Sequence, residues 1–139
     1  MSFTATTTGR EVPLILLVED HQDTRQMYAE FLGIGYQVMT ANDGEQALRA
    51  IRSHLPDLLI TDLSLPRLDG FELMREVRRD PAIGRIPIIC LSGHGGEAYE
   101  EQARQAGSDR LLLKPCMPDK LAEVAAELLR DAAKDRGNS

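Results

Sequence analysis

The chain predicts an α/β domain, a (βα)5 doubly wound sheet of five parallel strands with helices on both faces. Three observations carry this prediction. Four short apolar runs lack the alternation of a half-exposed strand: Leu14-Ile15-Leu16-Leu17-Val18, Leu58-Leu59-Ile60-Thr61, Ile88-Ile89-Cys90-Leu91 and Leu111-Leu112-Leu113. Parallel strands covered on both faces read this way. Segments of helical period separate them, and an alternation of this kind with right-handed crossovers winds into one sheet. Finally, 139 residues with 42 % hydrophobic content suffice for one packed domain and not for two of ordinary size.

Each element has its own signals. The first strand is Leu14 to Val18. Asp23 with Gln26 has capping-box spacing before Met27, Tyr28, Phe31 and Leu32, which recur at helical intervals. Tyr36-Gln37-Val38-Met39-Thr40 alternates, which places that strand at an edge. Asp43 with Gln46 opens a helix carrying Ala47, Leu48 and Ile51, and Asp69 with Glu72 opens the third helix. The fourth helix follows Gly95-Gly96 and has a thin apolar side, Ala98, Tyr99, Ala103 and Ala106. Gly107 suits its C-cap, and low burial predicts mobility there. Pro118 suits the first turn of a last helix whose stripe is Leu121, Val124, Ala125, Leu128 and Ala132. These boundaries predict a domain over residues 12–132, between flexible tails at 1–11 and 133–139.

Composition excludes several classes. Sixteen Lys+Arg against 22 Asp+Glu leave a formal charge of −6, contrary to a domain held to nucleic acid by phosphate contacts. Two cysteines, Cys90 and Cys116, have neither metal-ligand nor scaffold spacing. Cys90 reads as a core hydrophobe and Cys116 as half exposed. No apolar run has the length of a membrane span, and the polar N-terminus lacks the apolar stretch of a signal peptide, so a cytoplasmic address is expected.

In doubly wound folds, ligands sit beyond the carboxyl ends of the strands. Those ends are polar here: Glu19-Asp20 after the first strand, Asp62 after the third, Ser92-Gly93 after the fourth and Lys114-Pro115 after the fifth. Three converging carboxylates repel one another, so the cluster must take up a proton or a cation. Mg²⁺ fits, since it accepts two carboxylates and a carbonyl and keeps several waters. A metal, a lysine, a hydroxyl and a nucleophilic carboxylate are the parts of a phosphoryl-transfer site that forms an acyl phosphate.

Four segments together carry a family resemblance. They are Leu16-Leu17-Val18-Glu19-Asp20, the stretch from Asp62-Leu63-Ser64-Leu65-Pro66 through Asp69-Gly70-Phe71-Glu72-Leu73, Leu91-Ser92-Gly93 and Leu111-Leu112-Leu113-Lys114-Pro115. In this order the chain resembles the receiver domains of bacterial two-component response regulators. The resemblance implies strand order 2-1-3-4-5. It also implies that Asp62 is the phosphoacceptor, that Asp20, Asp62 and the carbonyl of Ser64 bind Mg²⁺, and that Glu19 holds metal-bound water. It assigns Ser92 as the switch hydroxyl, Lys114 as the phosphoryl partner and Pro115 as the proline of a cis peptide. Ser64 and His94 fall at positions that tune hydrolysis. Leu111 stands where the family often has an aromatic ring, so a ring-swing switch is not expected.

The resemblance further implies a stand-alone regulator that takes its phosphoryl group from a sensor histidine kinase or a phosphotransfer protein. It would act on a downstream protein and turn over no independent substrate.

Plainer readings compete with this one. Glu19-Asp20 could be a solvated acidic turn, Asp62 a turn residue, Ser92 a helix cap and Lys114 a surface lysine. His21 and His54 read as solvated, and Arg75, Arg78, Arg79 and Arg85 as a solvated face. Among whole-protein rivals, a phosphorylation-independent scaffold would be expected to lack part of the acid-lysine set. An aspartyl phosphatase commonly carries a second acid where Ser64 stands. A flavin protein would need a phosphate loop after the first strand.

Overall fold

In the computed structural model, residues 8–137 are described. The predicted alternation is present: β1 (Leu14–Val18), α1 (Gln22–Leu32), β2 (Gln37–Ala41), α2 (Gly44–His54), β3 (Leu58–Asp62), α3 (Gly70–Arg79), β4 (Ile88–Ser92), α4 (Glu97–Ala106), β5 (Arg110–Leu113) and α5 (Pro118–Gly137). All strand pairings are parallel, in the order β2-β1-β3-β4-β5. Strand β2, the one that alternates, lies at an edge.

The uniform apolarity of the inner strands follows from two cores. Leu16, Val18, Leu59, Ile88 and Cys90 face α2, α3 and α4, packing on Ile51, Leu73, Met74 and Ala103. Their strand neighbours Ile15, Leu17, Ile60, Ile89 and Leu91 face α1 and α5, packing on Tyr28, Leu32, Leu121 and Val124. Successive residues of a strand point to opposite faces, so both faces need hydrophobes.

Two of the three expected caps form. Asp43 accepts the Gln46 N–H at 2.8 Å, and Asp69 accepts the Glu72 N–H at 2.9 Å. The third does not: α1 is preceded by His21, and Asp23 lies in its first turn rather than at its cap. The carboxylate that organises this turn is Glu19, which accepts the His21 N–H at 3.1 Å.

Two expected boundaries also shift. Residues 133–137 continue α5 past its apolar stripe instead of forming a tail. At the other end, Thr8 donates to the buried carboxylate of Asp57 at 2.6 Å, and Arg10 pairs with the same carboxylate at 3.4 Å. Residues 8–11 are therefore anchored; the rest of the expected tails, 1–7 and 138–139, lies outside the described residues. Among the described residues, no helix is long and apolar enough to cross a membrane.

Gly70 locks the end of β3 to the start of α3. Its N–H donates to the Leu63 carbonyl at 2.9 Å. A Cβ there would stand 2.3 Å from the Asp62 carbonyl oxygen and 2.6 Å from Leu63 Cα. Neither backbone atom can swing aside as a side chain would. Gly70→Ala is expected to lower stability by about 1–3 kcal/mol, read as a lower urea midpoint.

Candidate functional site

Strands β1, β3, β4 and β5 end at one edge of the sheet, and the site side chains stand at those ends. Glu19 directly follows β1 and is fully buried; Asp20, next to it, is exposed. Asp62 closes β3 and Ser92 closes β4, both buried. Lys114 follows β5, its backbone N–H bound to the Ser92 carbonyl at 2.8 Å. Its ammonium lies 2.7 Å from Asp62 Oδ1 and 3.3 Å from Glu19 Oε1. The side chains of Glu19, Asp62 and Lys114 thus meet at this edge, while Ser92 lies at the end of the neighbouring strand.

The electrostatics follow from burial. Desolvation, together with the adjacent Glu19 carboxylate, pushes the Asp62 pKa up to about 8, against the opposing pull of Lys114. Glu19 is also disfavoured as an anion by burial. The adjoining Asp62 carboxyl, the His21 N–H and the charge of Lys114 outweigh that and bring its pKa to about 2. Lys114 loses some basicity to burial, but its two carboxylate partners raise its pKa overall. The two acids therefore act as a coupled pair, with the proton held on Asp62.

Asp62 Oδ2 is buried and accepts no hydrogen bond, and Oδ1 has only its ion pair with Lys114. A buried oxygen left in this way is costly unless something binds it. With Glu19 and Asp20 alongside, the donor set suits a hard divalent cation such as Mg²⁺.

The remaining predicted residues surround this centre. Ser92 Oγ donates to the His94 carbonyl at 2.8 Å and accepts the His94 N–H at 3.0 Å, so the hydroxyl is folded onto its own loop. Ser64 is exposed on the loop after β3. The exposed His94 places its ring 5.8 Å from that of Tyr99, which meets Phe71 edge-on. Leu111 is partly buried among core side chains and offers no ring. The Lys114–Pro115 peptide is cis.

One exposed side chain gains acidic partners, and two others differ from their sequence reading. His21 is exposed, yet its Nδ1 lies 3.2 Å from Asp20 Oδ1 and 3.4 Å from Glu19 Oε2; its adjacency to the acid pair was the available signal. Cys116 is buried rather than half exposed, because α5 packs on α1 and Tyr28 OH donates to the Cys116 carbonyl at 2.6 Å. Arg78 is no solvated arginine. It reaches under the fold to the carbonyls of Gly84, Ile86 and Gly107 and to Asp109.

Comparison with known proteins agrees with this fold. The family described as the response regulator receiver domain covers residues 15–126. A probable transcriptional regulator of Guillardia theta, ycf27, is 36 % identical over 118 residues, covering 84 % of this chain and 45 % of that protein. The gliding motility regulatory protein of Myxococcus xanthus is 34 % identical over 119 residues, 85 % of this chain and 14 % of that one. The chain thus spans less than half the length of these relatives. In structure it resembles the chemotaxis response regulator CheY4 of Vibrio cholerae, with a TM-score of 0.80 at 28 % identity, covering 85 % of this chain and 99 % of that one. With its strand order and the match over most of its length, the chain belongs to the receiver domains of two-component response regulators.

Proposed function

We propose that Asp62 accepts a phosphoryl group from the phosphohistidine of a sensor histidine kinase or a phosphotransfer protein, in a Mg²⁺-dependent reaction. The observation that carries this reading is the Asp62 carboxylate itself, buried at the end of β3 with an unpartnered oxygen and the Lys114 ammonium 2.7 Å away. In the transfer, an Asp62 oxygen forms a bond to phosphorus as the donor's P–N bond breaks, leaving the imidazole to take up a proton. Hydrolysis returns the carboxylate and releases inorganic phosphate.

Asp20, Asp62 and the Ser64 carbonyl would hold the Mg²⁺, with Glu19 beside them. Bound there, Mg²⁺ would neutralise charge on the transferring oxygens. Lys114 meets the same charge from the opposite side. Ser92 can donate to a phosphoryl oxygen only after giving up its bonds to His94, which couples the chemistry to the loop leading into α4. Ser64 and His94, both exposed beside the site, would tune hydrolysis of the acyl phosphate. With Leu111 in place of an aromatic ring, the change is read out through that loop. The output is altered protein binding or onward phosphoryl relay.

The test is incubation with acetyl phosphate and Mg²⁺, followed by intact mass. The expected adduct is one phosphoryl group, labile to base and hydroxylamine and missing from Asp62→Asn. Labelling of Asp62→Asn at the native rate would remove Asp62 from its role.

A further inference from the structure

We infer that His21 adds a nitrogen donor to the acidic pocket, so that the pocket takes borderline divalent ions such as Ni²⁺ or Zn²⁺ in competition with Mg²⁺. The inference rests on the reading that this pocket binds a divalent cation. Glu19, Asp20 and His21 each offer one ligand atom, and the three atoms lie within 4.8 Å of one another. The His21 N–H is bound to Glu19 Oε2 at 3.1 Å, so the backbone itself sets the imidazole against the acids. Its ring edge is open to solvent, giving an ion a route of entry.

A second observation points to a cation independently. Asp62, only 2 % exposed, has an oxygen with no partner, and its carboxyl adjoins Glu19 on the inner side of the same cluster.

Ligand chemistry then decides which ion. Mg²⁺ takes oxygen ligands in a near-ideal octahedron and gains little from an imidazole. Ni²⁺ and Zn²⁺ bind imidazole well and stand far above Mg²⁺ at mixed nitrogen and oxygen sites. An ion drawn toward His21 would engage Glu19 and Asp20, the acids that Mg²⁺ also needs. Occupancy by such an ion would therefore exclude Mg²⁺ and slow the phosphorylation of Asp62.

The test is calorimetric titration of the metal-free full chain with Ni²⁺ and, separately, with Mg²⁺. The proteins are native, His21→Gln and, as a control for stray imidazole binding, His54→Gln. His21 is exposed and makes no side-chain cap, so its substitution leaves the fold in place. Losing a direct ligand should cost at least what losing a supporting residue does, so His21→Gln is expected to weaken Ni²⁺ by about tenfold or more. Mg²⁺ affinity should be unchanged, and His54→Gln should behave as native. Equal Ni²⁺ affinity in native and His21→Gln proteins would overturn the inference. So would parallel losses of Ni²⁺ and Mg²⁺ affinity, which would make His21 a shaper of the loop and not a ligand. Failure of Mg²⁺ to bind the native protein would overturn both the Mg²⁺ reading and the competition inferred here, leaving only His21-dependent Ni²⁺ binding.

Discussion

Between pH 5 and pH 9 in the presence of chelator, the native protein is expected to lose roughly 2–4 kcal/mol of stability, and Asp62→Asn much less. The sign follows from the pair at the strand ends. Asp62 has its folded pKa raised from 3.8 to about 8. The folded state therefore keeps a proton that the unfolded chain has already released. That stabilisation is complete below pH 3.8 and is lost as pH rises through 8. Glu19 is shifted the other way, from 4.5 to about 2, so its contribution is present above pH 4.5 and lost only as pH falls through 2. Over the window from 5 to 9, Asp62 dominates. Replacing it with Asn removes the proton-binding group while keeping a side chain of the same shape beside Lys114.

Excess Mg²⁺ should give back part of the native loss at pH 9, since it favours the same ionised carboxylates. Binding to the folded form alone gives about 1.4 kcal/mol at ten times Kd. Urea midpoints at pH 5 and 9, each with chelator and with Mg²⁺, decide the matter. Parallel pH dependence in native and Asp62→Asn proteins would show that Asp62 is not the group that holds the proton.

What the sequence made legible, and what it hid, divides along the range of the interactions. The strands could be read because both faces of the sheet are covered, so apolarity is unbroken along each run. The starts of α2 and α3 could be read because Asp43 and Asp69 bind N–H groups three residues ahead. The site could be read because parallel strands all deliver their carboxyl ends to one edge, so polar residues at those ends must meet.

Interactions that bridge distant segments left no such trace. Asp57 is buried and accepts the Leu14 N–H at 2.8 Å as well as bonds from Thr8 and Arg10, all from residues more than forty positions away. Asp23 does not cap α1, because the group serving its turn is Glu19, a site residue. The burial of Cys116 depends on how α5 meets α1, which no local pattern reports. Among three arginines on α3, nothing local singles out Arg78.

Arg78 supplies the other large expected effect. Arg78→Met should cost about 3–5 kcal/mol, beyond any effect of a solvated arginine. Its guanidinium bonds the Gly107 carbonyl through two nitrogens at 3.1 and 2.7 Å, the Gly84 carbonyl at 2.9 Å, and the Ile86 carbonyl. It also meets Asp109 at 3.0 Å. One side chain thereby ties the end of α3 to the segment entering β4 and to the turn between α4 and β5. Met fills similar volume but supplies no donor, leaving three carbonyls to find water in a partly buried space. Asp109 would be less affected, because it keeps the Ile88 N–H at 2.8 Å.

Arg78→Lys should recover only part of the loss, because one ammonium cannot reproduce a planar fork that reaches several acceptors at once. These contacts lie at the amino ends of β4 and β5, away from Asp62. Phosphorylation of the folded variant by acetyl phosphate should therefore proceed at the native rate well below its melting temperature. Urea midpoints for native, Arg78→Met and Arg78→Lys proteins measure the first expectation, and labelling at low temperature measures the second. A loss below about 1 kcal/mol for Arg78→Met would return Arg78 to the solvated face that the sequence alone suggested.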